Sequence, residues 1–171
     1  MSSTRLPLDG NRHLLEQGLA LLAQLDDALY ANPRGSWTPV GAQYRHVLDH
    51  YFCFFEGLAT GRVDYDARTR DERLERSRGE AEVATRGILS ALQQLAARAD
   101  APLLVQMNSG APEDGPDWRE SSAGRELQFL CSHTVHHYAL IKLLLQGAGM
   151  DPGPEFGVAP STLTYQRATA R

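Results

Sequence analysis

Residues 122–146, SAGRELQFLCSHTVHHYALIKLLLQ, decide how this chain is read. The run is predicted to be one long helix, because Ser121 or Ser122 can cap its start and Gly147 and Gly149 end it. Within it His133 and His137 stand four residues apart, which sets both side chains on one helix face with Cβ atoms about 5–6 Å apart. The pair lies between the apolar runs FLC and ALIKLLL. Burying polar rings in such a setting without partners is costly, so the pair calls for a shared ligand.

Working outward, the segment 45–50, RHVLDH, repeats the spacing with His46 and His50 inside a helical pattern from about Pro39 to Leu58. Proline suits the first turn of a helix, and Gly61 follows its end. An earlier helix is predicted from about Asp9 to Tyr30, where Leu14, Leu15, Leu19, Leu22, Leu25 and Leu29 recur at three- and four-residue intervals. Asn32, Pro33 and Gly35 stop it. A third long helix is expected from about Asp71 to Ala99 on Leu74, Ala81, Ala84, Ile88, Leu92 and Leu95. The charged stretch before it, GRVDYDARTRDERLE, reads as an exposed connection that turns helical at its end.

Between Asp100 and Glu120 the character changes. PLLVQMN is β-like, SGAPEDGPD is turn chemistry and DWRES can pair back, so a hairpin or ordered loop is expected there. The final stretch, DPGPEFGVAPSTLTYQ, is too rich in Pro and Gly for a helix and is expected as an irregular tail across the bundle, placed to serve as a lid. The whole pattern predicts an all-α four-helix bundle forming one domain over residues 1–171.

Composition narrows the function classes. A net charge of −4 gives no basic footprint, so nucleic acid is not an expected partner. No run approaches the roughly 18 apolar residues that span a bilayer, and MSSTRLPLDGNRH lacks the apolar segment of a signal peptide, which makes no membrane and a cytoplasmic location the expectation. Cys53 and Cys131 fall in apolar helical pattern and read as reduced buried thiols, with a thiolate ligand as the other reading. Glu-x-x-His, His-Glu-x-x-His, Cys-x-x-Cys and Gly-rich phosphate loops are missing from the sequence.

The histidines remain the functional signal. Neutral imidazole offers a nitrogen lone pair near neutral pH, and two rings from one helix with a third from another can grip a divalent cation while leaving a coordination position open. His133 and His137 supply the pair; His46 or His50 supplies the third. His136, about 100° around the helix from His137, is expected at a helix interface or as a partner behind a ligand, and His13 on the surface. Glu126, two turns before His133, is either a solvated first-turn carboxylate or a group that orients an imidazole or binds a substrate cation. Asp49 carries the same ambiguity. Tyr44, Tyr51, Phe54, Phe55, Phe129 and Tyr138 read as packing, with some able to wall a pocket.

The runs VGAQYRHVL (40–48) and SHTVHHY (132–138) resemble the DinB-like superfamily, which shows a Gly five residues before its first His and a later Asn-His-x-x-His-His-Arg-Gly-Gln run. Gly41 precedes His46 by five, and His133, His136 and His137 reproduce the later spacing. The resemblance maps the metal ligands onto His46, His133 and His137. Ser132 stands in place of the Asn, Tyr138, Ala139 and Leu140 in place of Arg-Gly-Gln, and His50 is an additional histidine. The resemblance implies a metal-binding four-helix bundle, often a homodimer, carrying zinc or nickel most often; three imidazoles also suit manganese or iron. Relatives in that superfamily include bacillithiol transferases and the mycothiol-dependent maleylpyruvate isomerase. The expected function is therefore a metal-dependent enzyme, a thiol-dependent S-transferase or hydrolase acting on a small molecule with a low-molecular-weight thiol, with Glu126 or His50 as the proton carrier. The alternatives are a non-catalytic metal-binding or sensing module and a metal-free helical dimer.

Overall fold

In the computed structural model, which describes residues 6–31, 38–97, 100–108, 110 and 115–169, the first helical pattern forms two helices where one was expected. Helix α1 (Leu8–Leu22) buries Leu14, Leu15, Leu21 and Leu22, and a short α2 (Asp27–Ala31) follows after a break. The cause is local: the Asp26 carboxylate accepts from the backbone N–H of Leu29 at 2.6 Å, so it caps a new helix and does not continue the old one. Leu25 stays buried across the break, which is why the leucine period did not reveal it. The stop residues Asn32, Pro33 and Gly35 lie outside the described residues.

Helix α3 (Val40–Thr60) begins after Pro39 and ends at Gly61, whose φ of 74° is the left-handed conformation that glycine adopts without steric cost. The charged connection beyond it is not simply exposed. Strand β1 (Arg62–Asp64) forms there, and Val63 and Tyr65 are fully buried because alternate side chains of an extended segment face the interior. The expected helix from Asp71 to Ala99 is also divided, into α4 (Glu72–Arg76) and α5 (Arg78–Leu95). Ser77 adopts extended backbone between them, and its hydroxyl accepts from the N–H of Glu80 at 3.3 Å, starting α5 afresh. Ala99 lies outside the described residues.

Strands β2 (Pro102–Gln106) and β3 (Trp118–Ser122) pair antiparallel, from Pro102 opposite Ser122 to Gln106 opposite Trp118, in the segment expected to fold back on itself. Strand β1 adds to β2 in parallel, giving the order β1-β2-β3. Residues 109 and 111–114 of the expected turn are outside the described residues. Helix α6 (Ala123–Gly147) starts directly from β3, with Ser122 as its cap accepting from Arg125 N–H at 3.2 Å. The tail is corrected: after the Pro/Gly-rich 152–157, residues Pro160–Thr169 form α7. Proline is tolerated at a helix start, and Leu163 gives this helix a buried anchor.

The chain is thus mostly helical with a small three-stranded sheet. Helix α1 packs on α5 and α6, and α3 packs on the same two. Several polar groups buried between them are paired. Tyr51 donates to Asn11 Oδ1 at 2.8 Å, Asn11 donates to the Leu127 carbonyl at 2.9 Å, and Tyr44 donates to the Gly18 carbonyl at 3.0 Å. These bonds tie α1, α3 and α6 together and fix the rotation of α3 against α6. Among the described residues no helix is long and apolar enough to cross a membrane.

Candidate metal centre

Fixing α3 against α6 brings four imidazoles together. His46 Nε2 lies 3.2 Å from His133 Nε2. The His50 ring centroid is 4.0 Å from that of His133 and 4.6 Å from that of His46. The His137 ring is 4.5 Å from both His46 and His133. One donor nitrogen from each of His46, His50 and His133 can be chosen so that all lie within 4.8 Å of one another. That set contains His50 where His137 was expected as the third ligand; His46 and His133 belong to both sets.

Each ring has a distinct hydrogen-bond state. The Nδ1 of His50 lies 2.7 Å from the His46 carbonyl and must donate to it, which leaves Nε2 with its lone pair; Arg68 Nη1 donates to that atom at 3.1 Å. The Nδ1 of His137 lies 2.7 Å from Gln43 Oε1, and no hydrogen bond engages its Nε2 among the described residues. A histidine oriented through one nitrogen and open at the other is the arrangement found behind metal ligands. His133 Nδ1 is buried with no hydrogen-bond partner.

Burial, reinforced by the neighbouring imidazoles, holds His46 at a pKa of about 3, His133 at about 2 and His137 at about 4, against an ordinary 6.5. His50 is held at about 4, chiefly by burial; its carbonyl bond works in the opposite direction and the Arg68 charge adds to the lowering. All four rings are therefore neutral at pH 7, the protonation state that a metal ligand requires. Two nitrogens bound to zinc at about 2.0–2.1 Å with a tetrahedral angle sit about 3.3 Å apart, close to the His46–His133 spacing. The donor set fits a first-row divalent cation on chemistry, charge and spacing.

The surroundings hold these rings in place. Tyr65 stacks on His50 at 5.5 Å, and Phe129 lies 5.6 Å from His133 and 6.2 Å from His50. Phe129 thus walls the site. Glu126, for which a solvated first-turn position was one of the two readings, is only 6% exposed. Its carboxylate accepts from Tyr65 at 2.9 Å and from Ser121 at 2.5 Å. Those two donors occupy it, so it fixes the tyrosine that stacks on His50. Asp49 is also buried and takes a 3.4 Å contact from Arg45, which donates to Glu75 at 3.0 Å as well. Gly41 has a packing reason: a Cβ there would lie 2.0 Å from the Glu75 carbonyl oxygen, so only glycine lets α3 approach α4 so closely.

Other expected residues lie elsewhere. His136 is exposed, with its ring edge on His137 at 5.0 Å, and His13 is exposed beside Gln17. Cys53 is buried, and burial first, then nearby carboxylates, push its thiol up to about 11; burial also raises that of Cys131. Neither is poised as a thiolate. A cavity of about 1060 Å³ opens between α1, α5, α6 and α7, lined by residues including Leu8, Arg12, Leu89, Leu127 and Cys131, and none of the four histidines lines it. The tail is fastened by Phe156 stacking on Tyr138 at 4.7 Å and by Lys142 donating to the Gly153 carbonyl. Among the described residues no hydrogen bond or ring contact joins it to the four clustered histidines.

Sequence reasoning missed Gln43, Tyr65 and Arg68. Gln43 had a signal, since it lies three residues before His46 on the same helix face. Arg68 had none, because its approach depends on the path of the loop after β1.

No family model matches the chain, and no solved structure matches it. A curated protein, FK506-binding protein 5 of Rhizopus delemar, is 32% identical over 104 residues. The match covers 60% of this chain and 27% of that protein, so the chain spans about a quarter of the length of the relative.

Proposed function

We propose that this chain is a one-domain, cytoplasmic metal-dependent enzyme of the DinB-like superfamily, built on a four-helix bundle of α1, α3, α5 and α6. The mutual packing of α1 and α3 on α5 and α6 supports the bundle plan. One divalent cation, zinc or nickel, with manganese or iron as further fits, is held by His46 and His133 with His137 as the third ligand. The observation that carries the reading is the convergence of neutral imidazoles across α3 and α6 around the 3.2 Å nitrogen pair. His137 is favoured over His50 because its Nε2 is open while Arg68 occupies that of His50.

A cation of this kind acidifies a bound water or thiol enough to make a nucleophile at neutral pH. The chain's own residues do the rest. His50, neutral and with its Nε2 lone pair facing Arg68, would take up a proton once that hydrogen bond is released; Glu126, committed to Tyr65 and Ser121, acts through the orientation of that ring pair. Phe129 and Tyr65 exclude water from one side. The reaction class is transfer to or from a low-molecular-weight thiol, or hydrolysis, of a small molecule, in a homodimer. The Rhizopus relative contributes no residue to this reading.

A second reading, a non-catalytic metal-binding or sensing module, is favoured by one observation: the 1060 Å³ cavity is not at the histidines. Chelation separates the two. Removing the ion from the enzyme abolishes turnover of an electrophile with a thiol, whereas removing it from a module lowers thermal stability alone. Metal-loaded protein inert toward electrophiles with every cellular thiol would overturn the enzymatic reading.

A further inference from the structure

Arg68 stands out among the charged groups at the site. Its neighbour Arg45 is neutralised by Glu75 and Asp49. Arg68 has no salt-bridge partner among the described residues; its one hydrogen bond is donated to His50 Nε2 at 3.1 Å. A guanidinium carries five N–H donors in a planar fork, so most of its capacity is unspent. It is half-buried, in contact with the His50 ring.

The loop that carries it is built to keep it there. Asp64 Oδ1 accepts from the N–H groups of Asp66 and Ala67 at 2.9 and 3.2 Å, and Asp66 Oδ2 accepts from Asn108 N–H at 2.7 Å, anchoring the loop to the chain after β2. Two residues beyond Arg68, Arg70 takes a φ of 53°, a left-handed conformation unfavourable for a non-glycine residue. The cation is thus set against the His50 ring by a fastened turn, and a divalent ion bound among the imidazoles would add charge of the same sign. Asp49, the buried carboxylate on which the Arg68 charge acts, is in contact with Arg45 and makes no ion pair with Arg68 among the described residues, so the guanidinium has room for an anionic ligand. One guanidinium balances one negative charge, and its fork matches the two oxygens of a carboxylate.

We propose that Arg68 is the anchor for a carboxylate on the substrate, so that the histidine site selects small molecules carrying a carboxylate beside the reacting group. This rests on the metal-site reading above and deepens it by naming the substrate class. The ligand's carboxylate takes the free edge of the guanidinium, and its other end faces His46 and His133.

The test uses full-length protein loaded with cobalt(II) and two probes that differ in one group, mercaptoacetate and 2-mercaptoethanol. Binding is followed by calorimetry and by the cobalt absorption spectrum, and metal content is measured on the same samples. Wild type is expected to bind mercaptoacetate on the order of tenfold more tightly than mercaptoethanol, the share of one charge-assisted hydrogen bond. Arg68→Gln should bring the two probes to parity with cobalt content unchanged, and Arg68→Lys should keep part of the preference. Parity in the wild type, or an undiminished preference in Arg68→Gln, overturns the carboxylate anchor and leaves the metal reading standing. Protein that takes up no cobalt overturns both.

Discussion

His46 and His133, 87 residues apart in the chain, present their Nε2 atoms to each other across 3.2 Å. Two neutral imidazoles can satisfy that contact with one hydrogen bond only, whereas a cation between the two Nε2 atoms, as proposed above, would engage both.

The third ligand is separable by substitution. His137→Ala should cut metal affinity by at least tenfold, while His50→Ala should leave metal content near that of the wild type and reduce turnover. Titration with a competing chelator reads the first effect. If His50→Ala loses the ion and His137→Ala keeps it, the ligand set is His46, His50 and His133.

Acid should destabilise the metal-free protein early. The four folded-state pKa values lie between about 2 and 4, below the ordinary 6.5, so between these limits the unfolded chain binds more protons than the folded one. Stability is therefore complete above pH 6.5 and is lost as pH falls below it. Arg68 and Arg45 face the rings and add to this loss, while Asp66 opposes it at His50. Thermal melts of chelator-treated protein should show a midpoint that falls steadily from pH 7 to pH 5; a flat profile would contradict the burial of neutral rings.

Glu126→Ala should destabilise the fold by about 1–3 kcal/mol, because Tyr65 and Ser121 lose their common acceptor in a buried place. Glu126→Gln keeps an acceptor and should cost less. Urea denaturation of the two variants decides; equal and negligible losses would mean the carboxylate is not structural.

Two glycines of helical segments should respond with opposite signs. Gly41→Ala forces a Cβ onto the Glu75 carbonyl and should cost about 1–3 kcal/mol. Gly87→Ala on α5 meets nothing within 4 Å and should stabilise by about 0.5–1 kcal/mol. Denaturation midpoints of the pair check the closeness of α3 to α4.

The long helices were legible because their leucines and histidines recur at helical intervals, and the β2–β3 pairing because turn-forming residues separate two extended runs. The breaks at Asp26 and Ser77 were not, since in each case a single capping side chain interrupts an apolar period that continues on both sides. Helix α7 was hidden behind a Pro/Gly-rich run that reaches its first residue, Pro160. At the site, spacing indicated which histidines share a helix face and left His46 and His50 as alternatives for the third ligand, but not that both enter the cluster. That depends on the rotation of α3, which is set by Tyr44 and Tyr51 bonding across the core. Arg68 and the burial of Glu126 follow from the strand at 62–64, whose charged residues masked its inward Val63 and Tyr65.

Elemental analysis of untagged protein, purified alongside His46→Ala and His133→Ala, tests the central claim most directly. The account expects close to one divalent transition-metal ion per wild-type chain and almost none in either variant, with all three folded by circular dichroism. Wild-type protein free of metal after growth in metal-replete medium, or variants that retain a full complement, would contradict it.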